Sequence, residues 1–198
     1  MIVSSNFDGG NIECLEADSP NKIRLLIRKD NNAEFLQWFY FRLTGAHGFD
    51  CSLKIENAGV VSFPEGWRDY RAVASYDRLY WFRVDTEFDG KSLSIKHSPG
   101  QNSIYYAMFA PYSLERHANH LARVQNSPRA NVIRLTETGD GCDLDMLTIG
   151  DNCRNKHKCW IVARQHPGET MAAWWVEGLD QDVFGVAPDE VRGVSVGD

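Results

Sequence analysis

The sequence predicts a two-domain protein, in which an N-terminal antiparallel β-sandwich is followed by an incomplete α/β domain with a mixed sheet in an α/β/α arrangement. In the first part of the chain, short apolar or aromatic runs recur at roughly 8–12-residue intervals between turn-forming residues, which is typical of a sandwich. After Tyr112, strand-like runs alternate with helical segments, which indicates α/β layers with some parallel pairing. We therefore expect domains at residues 1–112 and 113–198.

The predicted strands of the first domain alternate apolar and polar side chains. Ile23, Leu25 and Ile27 fall on one face of such a strand, as a half-buried strand requires. The run WFYF at residues 38–41 is apolar on both faces, which predicts a central strand covered on both sides. We expect the second domain to provide one cover and to bury Phe39 or Phe41. The eight predicted strands are 11–16, 22–27, 35–42, 52–56, 72–75, 79–84, 92–97 and 103–109.

The second domain is predicted to begin with a helix. Ser113 is a suitable N-cap, and apolar residues follow at helical spacing until the sequence NSP at residues 126–128 ends the helix. Three further runs predict strands, at residues 132–135, 144–149 and 160–163. A second helix is predicted from Glu169 to about Gly178, and the acidic, glycine-rich residues after Gly178 lack helical apolar spacing.

Composition excludes several classes of protein. The 198 residues carry 21 basic and 27 acidic side chains, and the net charge of −6 disfavours a nucleic-acid binder with a broad basic face. No apolar run approaches the roughly 18 residues of a membrane span, so we expect no membrane partner. The N-terminus resembles no signal peptide and the five cysteines are sparse, which favours reduced thiols in the cytoplasm.

The segment RQHPGET at residues 164–170 carries the candidate chemistry. Pro167 keeps His166 out of helical geometry, and Glu169 falls at the start of the following helix. Both side chains are therefore expected to enter one crevice at the end of the strand before them, where open α/β sheets bind ligands. Imidazole nitrogen and carboxylate oxygen are both zinc ligands. The plainer alternative is a helix-capping glutamate beside a histidine that is satisfied by ordinary hydrogen bonds.

Several segments, ordered along the chain, resemble the zinc metallocarboxypeptidases of the M14 family, and most closely their cytosolic carboxypeptidase branch, which carries a β-sandwich before the peptidase domain. The resemblance covers roughly residues 1–179. It rests on FDGGN at 7–11, WFYF at 38–41, FAPYSLERH at 109–117, LDMLTI at 144–149 and RQHPGET at 164–170.

The resemblance implies that His166 and Glu169 are the first two ligands of one zinc ion. It implies metal-assisted hydrolysis that removes C-terminal residues, often glutamate, from a peptide or protein substrate. Arg164 and Gln165 are expected at the rim of the site without an assigned role.

The chain departs from the family after Glu169. The residues that follow contain no histidine, so the second ligating histidine, the Asn-Arg pair for the substrate carboxylate and the general-base glutamate cannot be placed. No catalytic residue is therefore identifiable, and we expect a weakly held zinc ion. The sequence after about residue 179 resembles a truncated or altered end.

Other histidines of the chain are candidates for a third ligand. His117 and His120 lie three residues apart on the predicted helix, where a solvated helix face is the simpler expectation. His157 and a histidine from a second subunit of a homo-oligomer are further candidates. Cys153, His157 and Cys159 cluster in a basic loop, but their spacing differs from the common zinc sites, and a solvated hairpin tip is the simpler expectation.

Two hypotheses follow. The leading one is a zinc metallocarboxypeptidase of which this chain carries only part of the active site, so that the chain alone is inactive. The alternative is a non-catalytic β-sandwich interaction module with a remnant peptidase domain.

Overall fold

The computed structural model describes residues 1–150 and 157–184. The chain divides into two compact units, the first formed by Met1–Pro111 and the second beginning at Tyr112. Among the described residues, no helix is long and apolar enough to cross a membrane.

The first unit consists of ten strands in two five-stranded sheets. In chain order these are β1 (Ile2–Ser4), β2 (Glu13–Ser19), β3 (Lys22–Leu26), β4 (Tyr40–Thr44), β5 (Cys51–Ile55), β6 (Val73–Ser75), β7 (Phe82–Arg83), β8 (Asp85–Phe88), β9 (Leu93–His97) and β10 (Ser103–Ala107). The first sheet has the order β1-β4-β10-β6-β7, and the second has the order β2-β3-β5-β9-β8. Two short 3₁₀ turns, Ala58–Val60 and Pro64–Trp67, follow β5. The unit is therefore rich in β-structure, as the sequence predicts.

The prediction of a purely antiparallel sandwich is wrong at one pair of strands. Every pair in the first sheet is antiparallel, but β3 and β5 pair in parallel, with Ile23 opposite Leu53 and Leu25 opposite Ile55. The chain leaves β3, forms β4 in the other sheet and then returns to the second sheet as β5. Because the chain makes this crossover, β5 runs in the same direction as β3.

The core of the first unit consists of the facing apolar side chains of the two sheets. Those with no exposed area include Ile23, Leu25, Leu53, Ile55, Leu93 and Ile95 from the second sheet, and Phe41, Leu43, Ile104 and Tyr106 from the first. The same cluster includes Trp67, whose indole Nε1 donates a hydrogen bond to the carbonyl of Ala58 at 3.0 Å. Burying this apolar area is the main stabilising contribution to the unit.

The residues that bury the WFYF segment belong to the first unit, so the expectation that the second domain buries Phe39 or Phe41 is wrong. Phe39 and Phe41 lie in the main core between the sheets. Tyr40 points to the opposite face, where it forms a small cluster with Val73, Trp81 and Ala107. The sequence correctly predicts that the WFYF segment is covered on both faces, but not that the first unit provides both covers.

The second unit contains two helices, α1 (Leu114–Val124) and α2 (Thr170–Phe184), and two strands, β11 (Ala130–Glu137) and β12 (Asp143–Ile149). Helix α1 confirms the predicted cap, because the Ser113 hydroxyl accepts a hydrogen bond from the backbone N–H of Arg116 at 3.1 Å. The two strands form an antiparallel hairpin. The parallel pairing expected in this region is therefore not found among the described residues.

Two further expectations about the second unit are wrong. Residues 157–164 form no strand, although a strand was predicted at 160–163. A strand needs a hydrogen-bonded neighbour, and this segment pairs with no strand among the described residues; Trp160 is 80% exposed and Val162 is 68% exposed. Helix α2 continues past Gly178 to Phe184, because Asp180 is buried against α1 instead of belonging to a solvated tail.

The core of the first unit gives a direct test of the fold. Leu53→Ala should lower the free energy of unfolding by about 2–5 kcal/mol, because Leu53 is fully buried and truncation leaves a cavity. The adjacent Lys54→Ala should change it by less than about 0.5 kcal/mol, because Lys54 is exposed. Urea unfolding of the first unit, followed by tryptophan fluorescence, measures both values. Equal effects would contradict the assignment of Leu53 to the core.

Candidate functional site

The segment before α2 turns sharply at Pro167 and Gly168. The backbone N–H of Glu169 donates to the carbonyl of His166 at 3.0 Å, which closes a four-residue turn. Pro167 occupies the second position of this turn, where its fixed φ angle is favourable. The N–H of Ala172 then donates to the carbonyl of Glu169 at 3.1 Å, and α2 begins at Thr170. The turn therefore places His166 and Glu169 at its two ends.

The side chains of His166 and Glu169 converge as predicted, but at an exposed turn and not in a crevice at the end of a strand, because residues 157–164 form no strand. Nδ1 of His166 lies 2.9 Å from Oε1 of Glu169, within hydrogen-bond distance. Both side chains are accessible, with 70% and 48% of their areas exposed respectively. A nitrogen and an oxygen donor thus lie next to each other at the surface, where they can reach an ion from solvent.

Arg164 holds the turn in place, a role that the sequence did not reveal. Its Nη1 donates to the carbonyl of Tyr112 at 2.8 Å, and its Nε donates to the carbonyl of Pro167 at 3.3 Å. Its own backbone is left-handed, with φ at 53°, a conformation that is uncommon for a residue with a side chain. Arg164 therefore connects the turn to the residue that precedes α1.

A charged network connects α1 to α2 in the interior of the second unit. Glu177 accepts two hydrogen bonds from Arg116, at 2.8 and 2.7 Å, and one from Arg123 at 3.0 Å. One helical turn further along α2, Asp180 lies 2.9 Å from Nε2 of His120. Glu177 is 2% exposed and Asp180 is 3% exposed. Buried charges of this kind are tolerated only when they are paired and hydrogen-bonded.

Aromatic side chains pack around the same network. The Arg116 guanidinium lies 4.2 Å from the centre of the Trp174 ring, and the Tyr112 ring meets Trp174 edge to face at 5.1 Å. Arg116 therefore combines an ion pair with a cation–π contact. These contacts fix the first turns of α2, and with them the end of the turn that carries Glu169.

The network also alters the ionisation of its members. Burial opposes the charged form of Glu177, but the hydrogen bonds from Arg116 and Tyr112 outweigh it and hold the pKa of Glu177 below its ordinary value. Burial, together with the neighbouring Glu177 carboxylate, raises the pKa of Tyr112. Glu177 is therefore an anion that bridges the two helices.

The other candidate ligands lie elsewhere. The expectation of a solvated helix face for His117 and His120 is wrong, because His120 is buried against Asp180 and His117 is partly buried, which lowers the pKa of His117. His157 and Cys159 are exposed. Cys153 lies outside the described residues. Across residues 1–150 and 157–184, no group of three or more potential metal ligands is found.

The two motifs in the first unit contact each other and have a structural role. The backbones of Asn11 and Tyr40 exchange hydrogen bonds at 2.9 and 3.2 Å, and the indole of Trp38 donates to the carbonyl of Gly9 at 2.7 Å. A Cβ atom at Gly10 would lie 2.0 Å from the carbonyl oxygen of Ser5, so only glycine fits. The FDGGN and WFYF segments therefore build the sandwich, and they lie in a different unit from His166 and Glu169.

Comparisons with known proteins identify relatives of both units. Residues 3–109 match the family described as the cytosolic carboxypeptidase N-terminal domain. An uncharacterised protein of Zymomonas mobilis is 44% identical over 178 residues, which cover 90% of this chain and 46% of that protein.

Two crystal structures are similar across nearly the whole chain. A metallo-carboxypeptidase from Burkholderia cenocepacia is 52% identical with a TM-score of 0.90, over 94% of this chain and 50% of that one. A metallo-carboxypeptidase from Pseudomonas aeruginosa, in complex with (2-guanidinoethylmercapto)succinic acid, is 36% identical with a TM-score of 0.86, over 96% of this chain and 50% of that one. The chain spans about half the length of the proteins that it matches.

Removing the charge of Glu177 should destabilise the second unit. We expect Glu177→Gln to lower the stability of α1 and α2 by about 2 kcal/mol, because Arg116 and Arg123 lose their shared partner. Glu115→Gln is the matched control, since Glu115 is exposed on α1, and it should have an effect below about 0.5 kcal/mol. Hydrogen exchange of the amides in α1 and α2 measures both.

The same network predicts a dependence of stability on pH. Because folding depresses the pKa of Glu177, its contribution is complete above the pKa of an unfolded glutamate, about 4.3, and is lost as the pH falls through the folded value. Amide protection in α1 and α2 should therefore decrease from about pH 4 downward in the wild type and less steeply in Glu177→Gln. If amide protection fell equally steeply with pH in the wild type and in Glu177→Gln, Glu177 would not be the group that causes the pH dependence.

Proposed function

Because the chain belongs to the M14 family of metallocarboxypeptidases, in its cytosolic carboxypeptidase branch, we propose that it contributes to zinc-dependent removal of C-terminal residues from peptides or proteins. We further propose that residues from 113 onward form the N-terminal part of the peptidase domain, with His166 and Glu169 as two zinc ligands. The substrate is proposed to be a polypeptide C-terminus, with glutamate as the residue released. The branch to which the chain belongs favours a cytoplasmic location.

The observation that carries the proposal is the convergence of His166 Nδ1 and Glu169 Oε1 at 2.9 Å. The donor types fit zinc, and both side chains are exposed enough to reach an ion. In the plainer alternative, His166 and Glu169 only form a hydrogen bond with each other at the start of a helix. This alternative explains the 2.9 Å contact but gives the two side chains no further role. Membership of a metallocarboxypeptidase family favours the ligand role.

His166 and Glu169 offer the donor atoms that zinc prefers, but two protein ligands are fewer than a catalytic zinc site needs. Catalytic zinc sites have three protein ligands and one open position, whereas no third potential ligand joins this pair among the described residues. When bound, zinc would polarise the scissile carbonyl and lower the pKa of a water molecule. This chain's own contribution is to hold two donors at the end of a turn that Arg164 and the Glu177 network keep in place.

Features next to the pair support the proposal that further polypeptide packs beside it and supplies the third ligand and the general base. Residues 160–162, just before the turn, expose large apolar side chains, as does Trp175 on α2, which is 57% exposed. The hydroxyl of Thr170, at the start of α2, is buried and has no hydrogen-bond partner among the described residues. Buried hydroxyls normally have a partner. This polypeptide is proposed to come from the same protein or from a second subunit.

The alternative function, a non-catalytic interaction module, is not favoured. The relatives with solved structures are metallocarboxypeptidases at 36–52% identity, and both proposed donors are present in this chain and converge.

Zinc titration of the purified chain by isothermal calorimetry tests the proposed ligands. We expect one weak site, which should disappear in His166→Ala and in Glu169→Gln, because each substitution removes one of two donors. His47→Ala is the control, since His47 is exposed in the first unit, and it should leave binding unchanged. Binding that survives both site substitutions would refute the ligand assignment.

We expect the chain alone to release no amino acid from peptides ending in glutamate, lysine or phenylalanine. Two ligands hold zinc loosely, and no group of three potential ligands is found among the described residues. The assay uses zinc-loaded protein and detects free amino acids. Turnover that is lost in His166→Ala would show that a third ligand is present in this chain, and His157→Ala would then test the exposed histidine that is nearest to His166 in sequence.

A further inference from the structure

The outer face of the first sheet, which points away from the main core, carries an unusual distribution of charge. Residues that are directly paired across strands point to the same face, so Arg42, Tyr105 and Ser75 share one face, as do Arg83 and Val73. The small cluster of Tyr40, Val73, Trp81 and Ala107 identifies this face as the outer one. The five strands of this sheet contain two arginines and no acidic residue.

A third arginine reaches the same face from the loop between β6 and β7. The Arg78 guanidinium lies 5.6 Å from the centre of the Tyr105 ring and 6.0 Å from that of Phe7, and its Nε donates to the hydroxyl of Tyr40 at 3.0 Å. The backbone of Arg78 is left-handed, with φ at 66°. The loop therefore holds the Arg78 guanidinium over the outer face of the sheet.

The carboxylate next to Arg78 in sequence is already engaged. Asp77 accepts hydrogen bonds from the backbone N–H groups of Leu79 and Tyr80, both at 2.8 Å, and one from the Ser75 hydroxyl at 3.1 Å. These bonds hold the pKa of Asp77 below its ordinary value. Asp77 therefore builds the loop that presents Arg78. The charge of Asp8 acts on Tyr40, whose hydroxyl accepts the hydrogen bond from Arg78.

Arg42, Arg78 and Arg83, which we call the arginine face, differ from four other arginines of the chain. Arg24, Arg116, Arg123 and Arg134 each form an ion pair with a carboxylate. Within the described part of the chain, no carboxylate forms an ion pair with any member of the arginine face. The three are exposed, and they lie together on a protein whose net charge is −6.

We propose that the arginine face binds an acidic segment of polypeptide. Arg42 on β4 and Arg83 on β7 are separated by three strand spacings and by two residues along the strands, roughly 16 Å in all. Arg78 lies over Tyr105 on β10, one of the two strands between them. An extended peptide places alternate side chains roughly 7 Å apart. Three carboxylates at alternate positions span roughly 14 Å, which is close to the spread of the arginine face. Each guanidinium can donate two hydrogen bonds to one carboxylate.

The geometry favours an acidic polypeptide over a nucleic acid. Binding of single strands depends on exposed aromatic rings on which bases stack. Here Tyr40 and Trp81 are buried, at 1% and 2% exposed, and the guanidinium of Arg78 lies over the rings of Phe7 and Tyr105. This surface is independent of the zinc pair, so its test and the zinc titration can fail separately.

The test uses the full chain and the peptide Asp-Ser-Asp-Ser-Asp with blocked ends. We expect binding that weakens as salt increases, because exposed charges are screened, and no binding of the peptide with Asn in place of Asp. Arg42→Gln, Arg78→Gln and Arg83→Gln should each lower the affinity by about twofold to fivefold, the scale of an exposed ion pair. Arg24→Gln, which removes the same charge from the second sheet, should leave the affinity unchanged.

NMR of the unmodified chain provides a second measurement that does not depend on the folding of any variant. Side-chain signals of the three arginines should shift on addition of the peptide. An absence of binding would overturn the proposal, as would an equal loss of affinity in Arg24→Gln. Equally tight binding of a five-residue oligothymidylate would also overturn it, because the face would then recognise polyanions in general.

Discussion

A single buried carboxylate, Glu177, holds the second unit together around the candidate site. It accepts hydrogen bonds from Arg116 and Arg123 on α1 while it lies two helical turns beyond Glu169 on α2. An unpaired carboxylate in this position would be costly, so α1 and α2 must keep the register that pairs it. With α2 fixed, Arg164 connects the preceding turn to Tyr112, two residues before α1. The convergence of His166 and Glu169 depends on both connections.

The two units use apolar burial in different ways. The first unit encloses aromatic and aliphatic side chains between two sheets, and even its aromatic strand β4 is covered by residues of the same unit. The second unit contains buried charged groups and exposes large apolar side chains at residues 160–162, shortly before the proposed metal ligands in sequence. Exposed apolar residues and a proposed ligand set of only two donors therefore occur in the same segment of the chain. Both are consistent with a site completed by additional polypeptide.

Local signals in the sequence predicted local structure well. The cap at Ser113 and the turn at Pro167 depend on neighbouring residues, and both are present. Contacts between distant residues were not predictable, because no local pattern identifies the partner. His120 was assigned to a solvated face because Asp180, its partner, lies 60 residues away. The segment at 160–163 has the composition of a strand but no strand to pair with among the described residues, and the parallel pairing of β3 with β5 follows from a crossover between sheets.

The central claim is that His166 and Glu169 bind the same zinc ion. Anomalous X-ray diffraction at the zinc absorption edge, from crystals of the chain soaked in zinc, locates the metal directly. The account predicts an anomalous peak about 2.0–2.2 Å from both Nδ1 of His166 and a carboxylate oxygen of Glu169. A peak at His117 or at His157 and Cys159, with His166 and Glu169 still hydrogen-bonded to each other, would contradict it.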